Sequence, residues 1–186
     1  MSEPARFERV VRLARLPEMR LAYFEITATP GDAEAEVHFP NAWDAFNEWR
    51  VRTRPALGRI DIAAIGWELG TAGGDDSKRL TYRTAVPIRS DYKAEPPALT
   101  TFFPGGAFAY CYADNWDEIT EAFAAVDAFL AGAGLVAHSG GIEAYKFHYN
   151  MEQHPCDCGF LVARSDGHDP LPPVSSHANP LPIARD

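Results

Sequence analysis

The order in which strand-like and helix-like segments follow one another constrains the fold of this chain more than any single motif. In each half, a strand-like segment precedes one helix-like segment, and two further strand-like segments follow it. The first helix is predicted to begin at Asn41 and to end before Pro55, and the second to run from Asn115 to Gly132 or Gly134. Two such repeats predict an α+β fold of two strand-helix-strand-strand modules, related by a pseudo-two-fold, in an antiparallel sheet with both helices on one face.

Alternating apolar residues locate the strands of this fold. The predicted strands lie at residues 10–16 with 19–27, 60–69, 79–88, 99–112 with a break at 104–106, 140–148 and 159–164. Pro17 is predicted to interrupt the first strand without ending it, and residues 29–40 are predicted as a turn-rich connector. The sequence after Ser165 is rich in Pro, Ser, His and Asp and has no periodicity. We therefore expect a domain at 1–164 and an extended or disordered tail at 165–186 that adds little to the core.

Each predicted helix carries one apolar face. The face of the first helix is formed by Trp43, Phe46, Trp49 and Val51, and that of the second by Trp116, Ile119, Phe123, Val126 and Leu130. Asn115 followed by Glu118 has the spacing of a capping box, which is typical of a helix start.

Length and charge exclude several classes of protein. The 186 residues fit one domain with a proper core, and a net charge of −9 argues against direct binding to nucleic acid. The sequence contains neither an apolar run of membrane-spanning length nor a signal-peptide core, so we expect a cytoplasmic protein that does not enter a membrane. Its three cysteines do not suggest a disulfide framework.

Glu143 is the first candidate for a functional residue. Strand alternation places it on one face with Tyr145 and Phe147, while Ile142 and Ala144 occupy the other face. An ionised carboxylate buried without a partner costs several kcal/mol or more. Glu143 therefore lies on a solvated outer strand, pairs with a distant arginine, or waits in a pocket for a ligand.

Aromatic residues recur on the other predicted strands. Phe108, Tyr110 and Tyr112 share one face of their strand, and the opposite face carries only small residues. A face of small residues suits close packing by a helix, which would leave the aromatic face to line a cavity. The alternative is that the aromatic side chains cover the core and the small residues face outward. Further aromatic candidates for the same cavity are Tyr23, Trp67 and Tyr82.

A metal site is a weaker hypothesis. His148, His154, Cys156 and Cys158 lie close together in sequence, and imidazole with thiolate suits zinc. The Cys-Asp-Cys spacing is tighter than that of zinc sites, so we predict no metal, and we expect no cofactor.

Several segments, in order, resemble the GyrI-like small-molecule-binding family, whose domain serves as the effector-binding domain of AraC- and MerR-type regulators. They are VRLARLPEMRLAY at 11–23, TYRTAVPI at 81–88, FPGGAFAY at 103–110 and IEAY at 142–145. The resemblance spans residues 10–164 and implies two packed modules with a ligand cleft between them. It also implies that a glutamate in the cleft, here Glu143, meets flat, hydrophobic cations among aromatic rings. Only about nine residues precede the domain, so we expect no DNA-binding region here.

The resemblance leaves three functions open. The first is a stand-alone binding protein that senses or sequesters cationic or aromatic xenobiotics, with ligand contacts from Glu143, Tyr145, Tyr110, Tyr112, Phe108, Trp67, Tyr82 and Tyr23. The second is a hydrolase of cyclopropane-bearing toxins, in which Glu143 and Tyr145 are catalytic and Glu143 is the general base. The third is an interaction protein that modulates gyrase. The expected partner is a small molecule in the first two cases, and a homo-oligomer is left open.

Overall fold

The computed structural model describes residues 9–28, 33–58, 61–71, 80–146 and 154–171. Two helices, α1 (Ala33–Thr53) and α2 (Ile119–Ala133), accompany the sheet, and a 3-10 turn, Trp116–Glu118, precedes α2. The strands are β1 (Val11–Leu16), β2 (Met19–Ala28), β3 (Ile62–Thr71), β4 (Leu80–Ile88), β5 (Leu99–Phe103), β6 (Gly106–Ala113), β7 (Leu135–Ala137), β8 (Ile142–Lys146) and β9 (Cys156–Arg164). Neither helix is long and apolar enough to cross a membrane, judged on the described residues.

The strand order shows the predicted pseudo-two-fold. The sheet runs β1-β6-β9-β8-β3-β4-β2-β5, with β7 added on β9, and all its pairings are antiparallel. The first module is β2-α1-β3-β4 and the second is β6-α2-β8-β9. If each strand is replaced by its counterpart in the other module, the central order β6-β9-β8-β3-β4-β2 becomes the same order read from the opposite end. The two modules therefore meet at the β3–β8 pair, and the α+β fold of two strand-helix-strand-strand modules is confirmed.

The short links between strands force the sheet to curl. Pro17 and Glu18 alone join β1 to β2, although six strand spacings separate these strands in the sheet order. Six spacings span about 29 Å in a flat sheet, whereas three peptide steps reach only about 11 Å. The ends of the sheet therefore curl toward each other. Gly105 of the β5–β6 link packs on this first link, because a β-carbon there would lie 2.6 Å from Pro17 C and Glu18 N.

The curled sheet has two differently filled faces. Its interior holds a core of large side chains, among them Leu21, Ile65, Phe103 and Phe108. On its outer face, α1 packs on β2 and β4, and α2 packs on β6 and β9. The surface under α2 consists largely of alanine and cysteine, namely Ala107, Ala109, Cys111, Ala113, Cys156 and Cys158. The prediction that small residues on β6 mark the position of a helix is confirmed.

The first helix differs from its prediction. It begins at Ala33 rather than Asn41, so part of the expected connector is helical and Pro40 lies inside the helix. Residues 33–36 alternate alanine and glutamate, which are strong helix formers. Val51 is 77% exposed and does not belong to the buried face with Phe46 and Trp49.

Other boundaries also change. The segments before and after Pro17 are separate strands, because β1 pairs with β6 whereas β2 pairs with β4 and β5. Residues 99–112 form two strands that separate at the predicted break, and β7 was not predicted. Asn115 caps the 3-10 turn through the Asp117 amide, while Glu118 accepts a hydrogen bond from the Asp114 amide, one residue before the expected one.

The tail is described as far as residue 171, and its remainder lies outside the described residues. Asp169 forms an ion pair with Arg15 at 2.7 Å, and Leu171 packs against the core under α2. The start of the segment therefore contacts the domain. The boundary at Ser165 stays a prediction.

Candidate functional site

Glu143 lies where the two modules meet. It is on β8, and the residue opposite it on β3 is Gly66. Alternation along β8 turns Ile142 and Ala144 into the interior core and turns Glu143 and Tyr145 toward the helices. The carboxylate therefore stands on the outer face of the sheet, between the regions that α1 and α2 cover.

Gly66 provides the room that this carboxylate occupies. A β-carbon at this position would overlap the hydroxyl of Tyr82 and would lie 2.8 Å from Glu143 Oε2. Tyr82 is on β4, the other neighbour of β3. Because the glycine has no side chain, residues from the strands on both sides of it meet above its backbone.

Two tyrosine hydroxyls converge on one carboxylate oxygen. Tyr145 donates a hydrogen bond to Glu143 Oε2 at 2.7 Å, and Tyr82 donates one to the same oxygen at 2.9 Å. Trp43 of α1 donates its indole N–H to the Tyr82 hydroxyl at 3.3 Å. The Trp43 ring also packs edge-on against Tyr145, with the centroids 5.2 Å apart. The first helix is thus tied to the carboxylate through Tyr82.

Burial controls the protonation of this cluster. It raises the pKa of Glu143, while the hydrogen bonds from Tyr145 and Tyr82 oppose that shift. Burial also raises the pKa values of Tyr82 and Tyr145 well above the ordinary range, and the negative charge of Glu143 adds to both shifts. Both hydroxyls therefore stay protonated and remain donors at neutral pH.

The cluster forms part of the wall of an open cavity of about 410 Å³. This volume lies within the usual range for small-molecule sites. The cavity is lined by residues from both modules, namely Trp43, Glu68, Leu80, Tyr82, Trp116, Ile119, Thr120, Glu143 and Tyr145. These nine residues include four aromatic side chains and two carboxylates, but no lysine, arginine or histidine.

Glu68 is the second carboxylate of the cavity. It is half-buried on β3, and burial raises its pKa against a hydrogen bond from the Gly141 backbone. Its negative charge also contributes to the raised pKa of Glu143. Among the described residues, neither Glu68 nor Glu143 forms an ion pair.

Solved structures with the same architecture are found, although no protein-family model and no curated protein matches the chain. The C-terminal domain of EcmrR aligns with a TM-score of 0.55 at 11% identity, covering 85% of this chain and 99% of that one. SAV2435 bound to tetraphenylphosphonium aligns with a TM-score of 0.57 at 13% identity, covering 82% and 93%. An integron cassette protein of Vibrio cholerae gives 0.53 at 12% identity, covering 82% and 95%.

The chain has the GyrI-like fold. At these identities the alignments establish the fold alone. Which residues bind a ligand has to be argued from the chain's own cavity.

The cavity contains some of the residues predicted to bind a ligand and not others. Glu143, Tyr145 and Tyr82 line it. The curl of the sheet places four of the other aromatic side chains in or against the interior core, on the opposite face; these are Tyr23, Trp67, Phe108 and Tyr110. Tyr112 is 41% exposed and does not line the cavity. On β6, the aromatic face covers the core and the alanine face lies under the helix.

Sequence reasoning missed most of the residues contributed by the helices. Trp43 lies within α1 and Trp116 in the turn before α2, and both line the cavity. Each follows an asparagine by one or two residues, as Asn-Ala-Trp or Asn-Trp. This shared pattern in the two halves was a usable signal. Glu68 gave a weaker signal, as a lone carboxylate near the end of an apolar strand.

The cysteine and histidine cluster does not form a metal site in the part of the chain that is described, where no group of three metal-binding side chains occurs. Cys156 and Cys158 are buried under α2 with their Sγ atoms 3.4 Å apart. Their mutual hydrogen bond and burial raise the pKa of the Cys158 thiol. His154 is exposed beside the Trp116 ring, and His148 lies outside the described residues.

Proposed function

We propose that this chain binds small hydrophobic cations in the cavity between its modules and thereby senses or sequesters them. The observation that carries the proposal is Glu143. Its carboxylate lines a ligand-sized cavity and accepts hydrogen bonds from two tyrosines, and no cationic side chain is among the described residues that line that cavity. The net charge of −9 further favours a cationic ligand over nucleic acid.

The described residues compensate the negative charge of Glu143 only in part. Two hydroxyl donors stabilise the ionised form, yet burial still raises its pKa overall. A bound cation would supply the missing opposite charge in a place where water screens it poorly. Binding would therefore favour the ionised carboxylate and the charged ligand together.

The aromatic lining determines which cations fit. Trp43, Trp116, Tyr82 and Tyr145 offer rings to a delocalised or aryl-substituted cation. Such contacts contribute about 0.5–2 kcal/mol each, depending on desolvation. The structural neighbour SAV2435 is bound to tetraphenylphosphonium, a cation that carries four phenyl groups. That ligand is a suitable first probe for this chain.

The test is calorimetric titration of tetraphenylphosphonium and the neutral triphenylphosphine oxide into the wild type and Glu143→Gln. The variant keeps the shape of the side chain and removes its charge. A carboxylate and a cation about 7 Å apart attract each other by about 2 kcal/mol at an effective dielectric constant near 20, so we expect the phosphonium affinity to fall about ten- to hundredfold. The affinity of the neutral compound should change much less.

Asp127→Asn is the matched control, because it removes one negative charge from the exposed face of α2, outside the cavity. It should leave both affinities within about twofold of wild type, since exposed charges are screened. Equal losses for the charged and neutral ligands in Glu143→Gln would mean that Glu143 is structural. Failure of the wild type to bind tetraphenylphosphonium or any other aryl cation would overturn the proposal.

Hydrolysis of a strained small molecule is the second candidate, and the raised pKa of Glu143 favours it. A carboxylate with a pKa closer to neutrality is a better general base for water, and Tyr82 and Tyr145 are placed beside it. Turnover of a cyclopropane-bearing substrate separates the two functions. If Glu143→Gln retains affinity for such a substrate but loses turnover, the chain is a hydrolase. Stoichiometric binding without product supports a binding protein.

A further inference from the structure

The two carboxylates of the cavity lie near each other on adjacent strands. Gly66 of β3 stands opposite Glu143 of β8, and Glu68 follows Gly66 by two residues on the same strand face. The Glu68 amide donates to the Gly141 carbonyl at 2.8 Å, so the pairing continues to this point. Such diagonal neighbours on antiparallel strands have α-carbons about 7–8 Å apart, with somewhat shorter distances between their β-carbons.

A ligand with one positive charge compensates only one of these groups. A monocation held at Glu143 leaves Glu68 half-buried, with its pKa still raised by burial. No lysine, arginine or histidine is among the nine lining residues, so the part of the wall that the structure describes supplies no counter-charge. A second positive centre on the ligand would relieve both the burial of Glu68 and the repulsion between the two carboxylates.

We propose that the preferred ligands are aromatic dications whose two positive centres match the spacing of the carboxylates, one centre at Glu143 and the other at Glu68. The inference rests on the proposed function and narrows its ligand class. A flat ring between the two centres would lie along the cavity, where Trp43 and Trp116 contribute aromatic surface from opposite modules. Aromatic diamines are the simplest members of this class.

The experiment compares 1,4-bis(aminomethyl)benzene, a dication at neutral pH, with 4-methylbenzylamine, a monocation of nearly the same size. Both are titrated calorimetrically into the wild type, Glu68→Gln and the control Asp127→Asn. In the wild type and the control, we expect the diamine to bind at least tenfold more tightly than the monoamine. In Glu68→Gln that advantage should fall to about threefold or less, while the monoamine affinity stays within about threefold of wild type.

An equal loss for both amines in Glu68→Gln, or no advantage of the diamine in the wild type, would overturn the inference. Tetraphenylphosphonium separates this failure from failure of the proposed function. If it binds and the diamine shows no advantage, only the dication inference is wrong. If neither amine nor the phosphonium binds, both are wrong.

A second measurement does not depend on the variant's folding. On the unaltered protein, 4,4′-bis(aminomethyl)biphenyl places its charges farther apart than the two carboxylates. It should lose most of the diamine's advantage over its own monoamine analogue. An undiminished advantage would show that the spacing of the charges is not recognised, which contradicts the inference.

Discussion

Glu143 and Asp157 lie on neighbouring strands, yet their carboxylates differ in burial and in bonding partners. Asp157 of β9 pairs in register with Ala144, the residue after Glu143. Its side chain is almost fully buried and forms an ion pair with Lys146 at 2.5 Å. Glu143 is only partly buried, has two tyrosine hydroxyls instead of a cation, and lines a cavity.

Strand alternation explains why only one of them has the lysine. Lys146 follows Glu143 by three residues on β8, so its side chain emerges on the opposite face of the sheet. That face carries Asp157 and also Tyr110, whose ring centroid lies 5.4 Å from Lys146 Nζ. The pair on the interior face is therefore internally neutral, whereas the carboxylate on the outer face has no cationic partner among the described residues. We therefore expect Asp157 to have a structural role, whereas the role proposed for Glu143 is to bind a ligand.

Gly66→Ala should have the largest effect on the difference between Glu143 and Asp157. The new methyl group would overlap the Tyr82 hydroxyl and press on Glu143 Oε2, without touching Asp157. We expect a loss of about 1–3 kcal/mol in the free energy of unfolding, which is typical of overpacking. Because the Tyr82–Glu143 cluster proposed to bind the ligand is displaced as well, tetraphenylphosphonium affinity should fall at least about hundredfold.

Gly132→Ala is the matched control for that substitution. Gly132 lies exposed in α2, and an added β-carbon meets no atom within 4 Å. Alanine there should raise the free energy of unfolding by about 0.5–1 kcal/mol, because it favours the helix, and should leave binding unchanged. Chemical denaturation and calorimetric titration check both variants. Wild-type affinity in Gly66→Ala would show that the Tyr82–Glu143 contact is unnecessary.

The contrast between the two faces also shows what the sequence could predict. Local periodicity correctly placed Glu143 and Tyr145 on one face, and it gave the right element types except for the helical start of α1 and the strand β7. The face that becomes interior depends on pairings distant in sequence, such as β1 with β6 and β2 with β5. Phe108 and Tyr110 were therefore correctly placed together on one face, but that face turned out to be the core.

The residues contributed by the helices were harder to predict for the same reason. Trp43 and Trp116 read as ordinary members of apolar helix faces, and nothing local distinguishes a ring that lines a cavity from one that fills a core. The role of Gly66 could not be predicted either, because it depends on Tyr82 and Glu143 approaching from two other strands.

Asp157→Asn should have a smaller effect than Gly66→Ala, and it should change stability alone. Removing one partner of a fully buried ion pair costs about 3–5 kcal/mol. Lys146 is 26% exposed and can regain water, so we expect about 2 kcal/mol here. This corresponds to a melting temperature lower by about 4–8 °C for a chain of this size. Tetraphenylphosphonium affinity should stay within about twofold of wild type.

Asp91→Asn is the control, since it breaks an ion pair of similar length with Arg89 that is exposed on both sides. Exposed pairs contribute about 0–1 kcal/mol, so its melting temperature should barely change. If Asp157→Asn weakened cation binding as much as Glu143→Gln, the division between a structural and a ligand-binding carboxylate would be wrong.

The smallest expected effect is that of Glu143→Gln on stability, and its sign is opposite to that of Asp157→Asn. Burial raises the pKa of Glu143 above the ordinary value of 4.5 in the folded chain. Between these two pKa values the folded state binds more protons than the unfolded state, so the stability of the wild type falls as pH rises through this interval.

The glutamine variant lacks this contribution. Without ligand, the free energy of unfolding of the variant should match that of the wild type near pH 4 and exceed it by up to about 1 kcal/mol at pH 8. The gain is small because the tyrosine hydroxyls donate weaker hydrogen bonds to a neutral amide than to a carboxylate. Urea unfolding of both proteins from pH 4 to pH 8 measures this difference. A variant less stable than the wild type at pH 8 would mean that the tyrosine hydrogen bonds outweigh the cost of burying the charge, and Glu143 would then be structural like Asp157.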